Sequence, residues 1–350
     1  MNLDDSKAVA RVDRSQTLAA MEETPERLTP PPDAVSTCGE RIRRPDNIVF
    51  GGVGGSGIIG DIVNDYLRWV ADVPASVCRS MRLPAYVGKD TLFVAISYSG
   101  QTPETLSLLD QAMRKGATTV AVGSGGRLLD ISRQDGIRHL KVTEGLLPRL
   151  ALPELLAAVL FLMGRTGLVE DAGKLLRDSA ELLRDQIRKI GLSSPLPENG
   201  AKQMAQALLG RLPLLFGSVD MGSVLRRFKN ELNENSKMPA FYYTLPEGYH
   251  DDVEGLNMLS KLARPLPIVL VDQEENAGQR RTRERLYSLF KDLGFQPVLE
   301  FKGEGEERLG RLLTAVMFGD YVSAYLALLR EVDPSELTFI PGFREAMRGN

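Results

Sequence analysis

Ile48-Val49-Phe50 is a short apolar run that passes directly into Gly51-Gly52-Val53-Gly54-Gly55-Ser56-Gly57, and residues 58–70 then carry a helical pattern. A strand, a glycine turn and a helix start in that order belong to the βα unit, which commits the region to a parallel sheet covered by helices. Glycines there let a ligand approach the main chain, and free N–H groups at a helix start attract anions. The unit recurs at Thr91–Ile96, which ends in Ser97-Tyr98-Ser99-Gly100-Gln101-Thr102 before Pro103-Glu104 opens a helix behind Thr102 as its N-cap. The hydroxyls of Ser97, Ser99 and Thr102, with unpaired amides beside them, make a pocket for a phosphate without a basic side chain.

Strands are expected at 118–122 and 137–142, each after a helix, so residues 46–165 read as a doubly wound parallel sheet. A second cycle follows: strand 212–216, helix from Met221, strand 268–271, helix 280–293, strand 297–301 and a long apolar helix over 306–329. The two halves suggest an internal doubling, although no residue repeat is obvious. Residues 1–12 read as lacking regular structure, 12–28 as an amphipathic helix interrupted at Thr24-Pro25, and Thr29-Pro30-Pro31-Pro32 as a stiff extended link. The chain therefore divides into an N-terminal arm and helix (1–45), a first α/β domain (46–165), a linking helix (166–198) and a second α/β domain with a C-terminal segment (199–350).

At 350 residues, 43% apolar and 25% charged, the chain suits two soluble domains with a core each. A net charge of −3 with mixed signs argues against a nucleic-acid surface. Cys38 and Cys78 are too few for a disulfide framework, and the only histidines, His139 and His250, lie too far apart to build a metal cluster. A reducing cytoplasm is the simplest home. The run at 150–163 carries Pro153 and Glu154 and is too short to span a bilayer, so it reads as a buried helix, and no membrane partner is expected.

Candidate acid/base groups concentrate in Lys229-Asn230-Glu231-Leu232-Asn233-Glu234-Asn235-Ser236-Lys237, followed by Pro246-Glu247-Gly248-Tyr249-His250. Glu231 and Glu234 sit three apart near a helix end, on one face. Glutamates at that spacing beside Lys229 and Lys237 also fit a solvated face with i to i+4 charge pairs. Asn233 and Asn235, poor helix formers flanking Glu234, favour a carboxylate aimed by amides.

Taken together, Gly54-Gly55-Ser56-Gly57, Ser97-Tyr98-Ser99-Gly100-Gln101-Thr102, Leu147-Pro148-Arg149 and Asn233-Glu234-Asn235-Ser236-Lys237 with His250 resemble the bifunctional phosphoglucose/phosphomannose isomerases, built from two sugar isomerase (SIS) domains. The resemblance implies that Ser97, Ser99 and Thr102 bind a sugar phosphate, with Gly54, Gly55 and Ser56 lining the pocket. It further implies Glu234 as the base moving a proton between C1 and C2, Arg149 as the stabiliser of the enediolate, and His250 as the ring-opening group, contributed across a homodimer interface. Such chemistry needs neither metal nor redox cofactor.

The sequence departs from the family in three places. Asp251-Asp252 follows His250 where the family carries Asn, Ser335 ends the Val332-Asp333-Pro334-Ser335 turn where the family carries Thr, and beyond that turn the position of a C-terminal site Lys falls on Arg344. Arginine does not give up its proton, so Arg344 is expected to hold a hydroxyl or ring oxygen rather than act as a base. Two other readings compete with the isomerase. One is a non-catalytic SIS sensor of sugar phosphates; the other is a dinucleotide oxidoreductase, for which Gly52-Val53-Gly54-Gly55-Ser56-Gly57 fits loosely and Arg79 stands where a 2′-phosphate would be read.

Overall fold

The computed structural model describes residues 1–39 and 41–348. Contacts divide the chain into two units, Glu23–Glu181 and a discontinuous one made of Met1–Glu22 with everything from Leu182 onward. The helix Ala172–Ile190 runs through that division.

In the unit Glu23–Glu181, β1 (Asn47–Gly51), β2 (Ala75–Cys78), β3 (Thr91–Ile96), β4 (Thr118–Gly123) and β5 (Arg138–Lys141) form one parallel sheet, ordered β2-β1-β3-β4-β5. Every residue of β3 is buried, as a central parallel strand requires when both faces are covered. Val49, Phe93, Ala95 and Ala121 pack on one face against Leu108 and Leu109 of the Pro103–Arg114 helix and Leu128 and Leu129 of the Gly126–Gln134 helix. The expected buried helix is found at Leu152–Thr166 and ends on Gly167 in the left-handed conformation.

The discontinuous unit holds β6 (Leu212–Ser218), β7 (Phe241–Leu245), β8 (Pro265–Val271) and β9 (Leu299–Lys302), all parallel and ordered β7-β6-β8-β9. That order repeats the first four strands of the other sheet, so the doubling expected from the strand–helix rhythm holds at the level of topology. Because β7 and β8 flank β6 on opposite sides, right-handed crossovers put the Gly222–Glu234 and Asp252–Leu262 helices on opposite faces. One face is filled by Phe216, stacked on Tyr243 at 4.7 Å and edge-on to Phe290 at 5.0 Å, with Leu256 and Leu286 around them. Each such buried aromatic is worth roughly 1.5–3 kcal/mol. The helix Arg308–Leu329 is long and apolar enough to cross a bilayer, but it is buried against the Gly200–Leu208 and Gly222–Glu234 helices and serves as a core helix.

Three local expectations change, and one strand is new. Residues 1–12 are not irregular: Asp5 caps the helix Ser6–Val12 by accepting from the amides of Lys7 (3.0 Å) and Ala8 (3.2 Å), and Leu3, Ala8 and Val9 are buried. The stretch 12–28 forms two short helices, Thr17–Glu22 and Thr24–Arg27, with Pro25 in the first turn of the second. The helix after β1 begins at Gly54 rather than Ile58, so the glycines form its first turn despite their poor helix propensity. Finally, the run before Pro246 is the strand β7 at the sheet edge, where pairing to β6 outweighs the lack of a clean alternation.

Candidate active site

In the first sheet, β1 pairs with β2 on one side and β3 on the other, so the strand order reverses between β1 and β3. In open α/β sheets the crevice at the carboxyl ends of such a pair is where ligands bind. The Gly54-Gly55-Ser56 turn leaves β1 at this crevice and the 97–102 loop leaves β3 beside it. Ser56 Oγ accepts from the Tyr98 amide at 3.2 Å and ties one loop to the other. Ser97 Oγ and Thr102 Oγ1 lie 2.8 Å apart, and Ser99 Oγ accepts from the Gln101 amide at 3.3 Å.

Thr102 occupies the N-cap position with an extended backbone, yet its hydroxyl faces Ser97 and does not cap the Pro103–Arg114 helix. Val53 likewise gives the Gly54–Val70 helix no side-chain cap. Two helix starts on neighbouring strands are therefore left without side-chain caps at this crevice. Gly100 is indispensable to the turn: its φ is +62°, and a Cβ there would sit 1.8 Å from the Gly125 carbonyl oxygen.

Tyr98, which sequence reasoning passed over, fastens the Arg149 segment to this cradle. Its hydroxyl accepts from the Leu146 amide at 2.8 Å and donates to the Thr143 carbonyl at 3.0 Å, and burial pushes its pKa up. The Pro148 carbonyl oxygen lies 3.7 Å from where a Gly55 Cβ would stand, so the Leu147-Pro148-Arg149 segment borders the glycine turn, with Arg149 buried behind it. Gly54, Gly55, Ser56, Ser97, Ser99, Thr102 and Arg149 thus gather at one end of one sheet. Arg79, the residue a dinucleotide reading would use, instead donates to the Gly57 carbonyl at 3.2 Å and pairs with Asp61, bracing the helix start.

Glu234 closes the Gly222–Glu234 helix in the other unit, half-buried. Glu231, one turn earlier, is no solvated residue: its side chain is 2% exposed and binds Arg227 Nη1 at 2.9 Å. Arg227 also grips Asp320 through Nε and Nη2, both at 2.9 Å. Burial alone would lower the pKa of that guanidinium, but the carboxylates of Asp320 and Glu231 hold it above its ordinary value. Asn235 completes the lattice by donating to Glu231 Oε2 at 3.0 Å and Ser323 Oγ at 2.9 Å. Asn233 donates to the Met238 carbonyl at 2.9 Å and accepts from Lys229 Nζ at 3.0 Å. The amides around Glu234 therefore fix the helix end from which it projects.

Lys237, at φ +52°, donates to the carbonyls of Asn235 (3.1 Å) and Asp333 (2.8 Å), which ties the glutamate motif to the Val332-Asp333-Pro334-Ser335 turn. No spacing in the sequence announced that brace. His250 is exposed, its ring tilted 32° against that of Tyr249 with centroids 4.3 Å apart. Arg344 falls in the closing helix Ile340–Arg348, and its side chain lies outside the described residues. His139 sits half-buried on β5 with Nδ1 3.4 Å from the Ile137 carbonyl oxygen, as a structural residue does. Among the described residues no group of His, Cys, Asp or Glu side chains could hold a metal. Cys38 and Cys78 are buried, and burial pushes the Cys38 thiol up to about 11.

The architecture and the cradle define a protein of the SIS class: residues 41–126 match the SIS domain, and 197–347 match the bacterial phospho-glucose isomerase C-terminal SIS domain. The chain is 32% identical to a bifunctional phosphoglucose/phosphomannose isomerase from Caldicellulosiruptor bescii, over 83% of this chain and 86% of that one. It is 30% identical to the protein of the same name from Aquifex aeolicus, over 86% and 90%. It belongs to the bifunctional phosphoglucose/phosphomannose isomerase family. A 26% identical relative from Sulfolobus acidocaldarius, matched over 89% of this chain and 93% of its own, is named D-glucosamine-6-phosphate 4-epimerase. Among solved structures, a glucose-6-phosphate isomerase like protein from Thermus thermophilus has the same fold, with TM-score 0.67 at 19% identity and 99% of each chain covered.

Proposed function

We propose that the protein interconverts glucose 6-phosphate, and mannose 6-phosphate, with fructose 6-phosphate. The observation that carries this reading is the hydroxyl- and amide-lined crevice between β1 and β3, joined through Tyr98 to the segment bearing Arg149. A phosphate seated on Ser97, Ser99 and Thr102 beside two helix starts would be fixed without a basic side chain, with Gly54, Gly55 and Ser56 allowing the sugar close to the main chain.

In this mechanism Glu234 takes the proton from the carbon beside the carbonyl and returns it to the neighbouring carbon through a cis-enediol. Arg149 stabilises the charge that develops on the substrate oxygens. His250 exchanges the ring-oxygen proton that opens the sugar, and Arg344 holds a hydroxyl or the ring oxygen. His250 reaches the site of a partner subunit in a homodimer. Its exposure, with that of Tyr249, Met258 and Leu262 nearby in the chain, supports a surface that a second copy covers. The enzyme works in the cytoplasm.

A coupled assay with the two aldose 6-phosphates decides the reading, with glucosamine 6-phosphate as the control that the Sulfolobus acidocaldarius relative recommends. Glu234→Gln is expected to lower turnover by about 10²–10⁴ while sugar-phosphate binding persists. Undiminished turnover would remove Glu234 from the chemistry, and binding without turnover in the unaltered protein would leave a sensor.

A further inference from the structure

Lys237 stands three residues beyond the Gly222–Glu234 helix, with φ at +52°. A left-handed backbone is uncommon at a residue other than Gly, Asn or Asp, and the surrounding structure must hold it there. Among the described residues only Gln16 and Glu331 share that conformation without being glycine, and both border the cluster that Lys237 enters. Glu331 ends the Arg308–Leu329 helix where glycine is usual, its amide donating to the Leu328 carbonyl at 2.9 Å, and leads through Val332 into Asp333. Gln16 follows Ser15, whose hydroxyl oxygen lies 2.9 Å from that of Ser335. Strained backbone gathers where a protein must hold groups in one arrangement.

At the centre of the cluster is the Asp333 carbonyl oxygen. It accepts from the Glu336 amide at 3.3 Å and from Lys237 Nζ at 2.8 Å, and the same amine donates to the Asn235 carbonyl at 3.1 Å. Asn235 is fully buried, its side chain fixed by Glu231 and Ser323. Held by its side chain and by its carbonyl, Asn235 leaves the residue before it, Glu234, little freedom to turn. The helix has no basic residue in its last turn, so Lys237 also brings the positive charge that the negative end of a helix favours. On the far side of the brace, the Val332-Asp333-Pro334-Ser335 turn leads to the Ile340–Arg348 helix, which carries Arg344.

We propose that Lys237 is a positioning residue of the isomerisation, its amine fixing the Glu234 carboxylate against the turn that precedes the Arg344 helix. The amine holds main-chain carbonyls and acts through Glu234, so the role rests on the reading in which Glu234 moves the proton. A base displaced by about 1 Å loses the alignment that makes proton transfer fast. The hydroxyls proposed to grip the phosphate belong to the other unit and keep their own hydrogen bonds.

Steady-state kinetics of glucose 6-phosphate isomerisation test this with variants that suit the backbone. Glycine and asparagine accept the left-handed conformation, so Lys237→Gly and Lys237→Asn should melt within about 5 °C of the unaltered protein. Their kcat is expected to fall by about tenfold or more with KM changed by less than about threefold. Lys237→Arg, which keeps a charged donor, should retain at least about a third of the normal kcat. Normal kcat in the Gly and Asn variants, a rise in KM alone, a loss of kcat matched by unfolding, or a loss that Arg does not restore would each overturn the role. An unaltered protein that isomerises neither aldose 6-phosphate would refute the function proposed above and this role with it, whereas an active protein with indifferent Lys237 variants would refute this role alone.

Discussion

Glu231 and Glu234 stand one helical turn apart, and their surroundings give them different work. Glu231 is locked between Arg227 and Asn235, and removing it leaves a buried guanidinium with one carboxylate fewer and an amide short of one of its two acceptors. Glu231→Ala is therefore expected to cost about 3–5 kcal/mol, and more than Glu234→Gln, which keeps the size and shape of a half-buried side chain. Urea unfolding midpoints of the two variants check this, and equal losses would contradict it. Helical spacing in the sequence marked both glutamates as candidates. It could not separate them, because the partners that bury Glu231's network, Asp320 and Ser323, lie nearly ninety residues further along the chain.

At the scale of elements, the 97–102 loop depends on Gly100. With φ at +62° and the Gly125 oxygen in the way, Gly100→Ala must open the turn. A weakening of fructose 6-phosphate binding by about tenfold or more is expected, measured by titration, because the loop loses the shape that presents its hydroxyls. The Val332-Asp333-Pro334-Ser335 turn answers to pH. Burial would raise the Asp333 carboxyl, but the Ser335 hydroxyl and amide, with Arg14, hold it below its ordinary value. A depressed folded value means that the stabilisation is present above the unfolded value of about 4 and is lost as pH falls through the folded one. The stability difference between the unaltered protein and Asp333→Asn should accordingly shrink as the pH is lowered from neutral to about 3, and a gap that stays constant would refute the assignment.

Much of this scale was legible in the sequence. The β3 strand and the helix behind Thr102 start where apolar runs and the Thr-Pro signal put them. The Ala277–Asp292 helix begins three residues before the expected 280, because Asn276 and Gln279 form a capping box whose two halves lie outside the apolar pattern. The helical start at Gly54 was hidden for a different reason: propensity argues against glycine, and only the tertiary contacts of the first turn override it. The hydroxyls of the cradle were readable as residue types, but the Tyr98 link between loops forty-five residues apart was not.

For the whole molecule, the proposed crossing of His250 between subunits makes a sharp demand. Glu234→Gln and His250→Ala homodimers should each be inactive. Mixed and allowed to exchange, they should recover up to about a quarter of normal turnover, since each heterodimer then holds one intact site. Two variants that stay inactive after exchange would place His250 in its own subunit's site.

The buried Lys202 amine meets Asp4 at 2.8 Å, and Asp4 in turn accepts from the Leu196 amide at 3.1 Å. The opening residues are therefore part of a body whose remainder begins at Leu182, with the Glu23–Glu181 unit inserted between its two pieces. On the ribosome the inserted unit has all of its own chain and can close while synthesis continues. The opening segment must wait unpaired until the chain beyond Leu182 has been made.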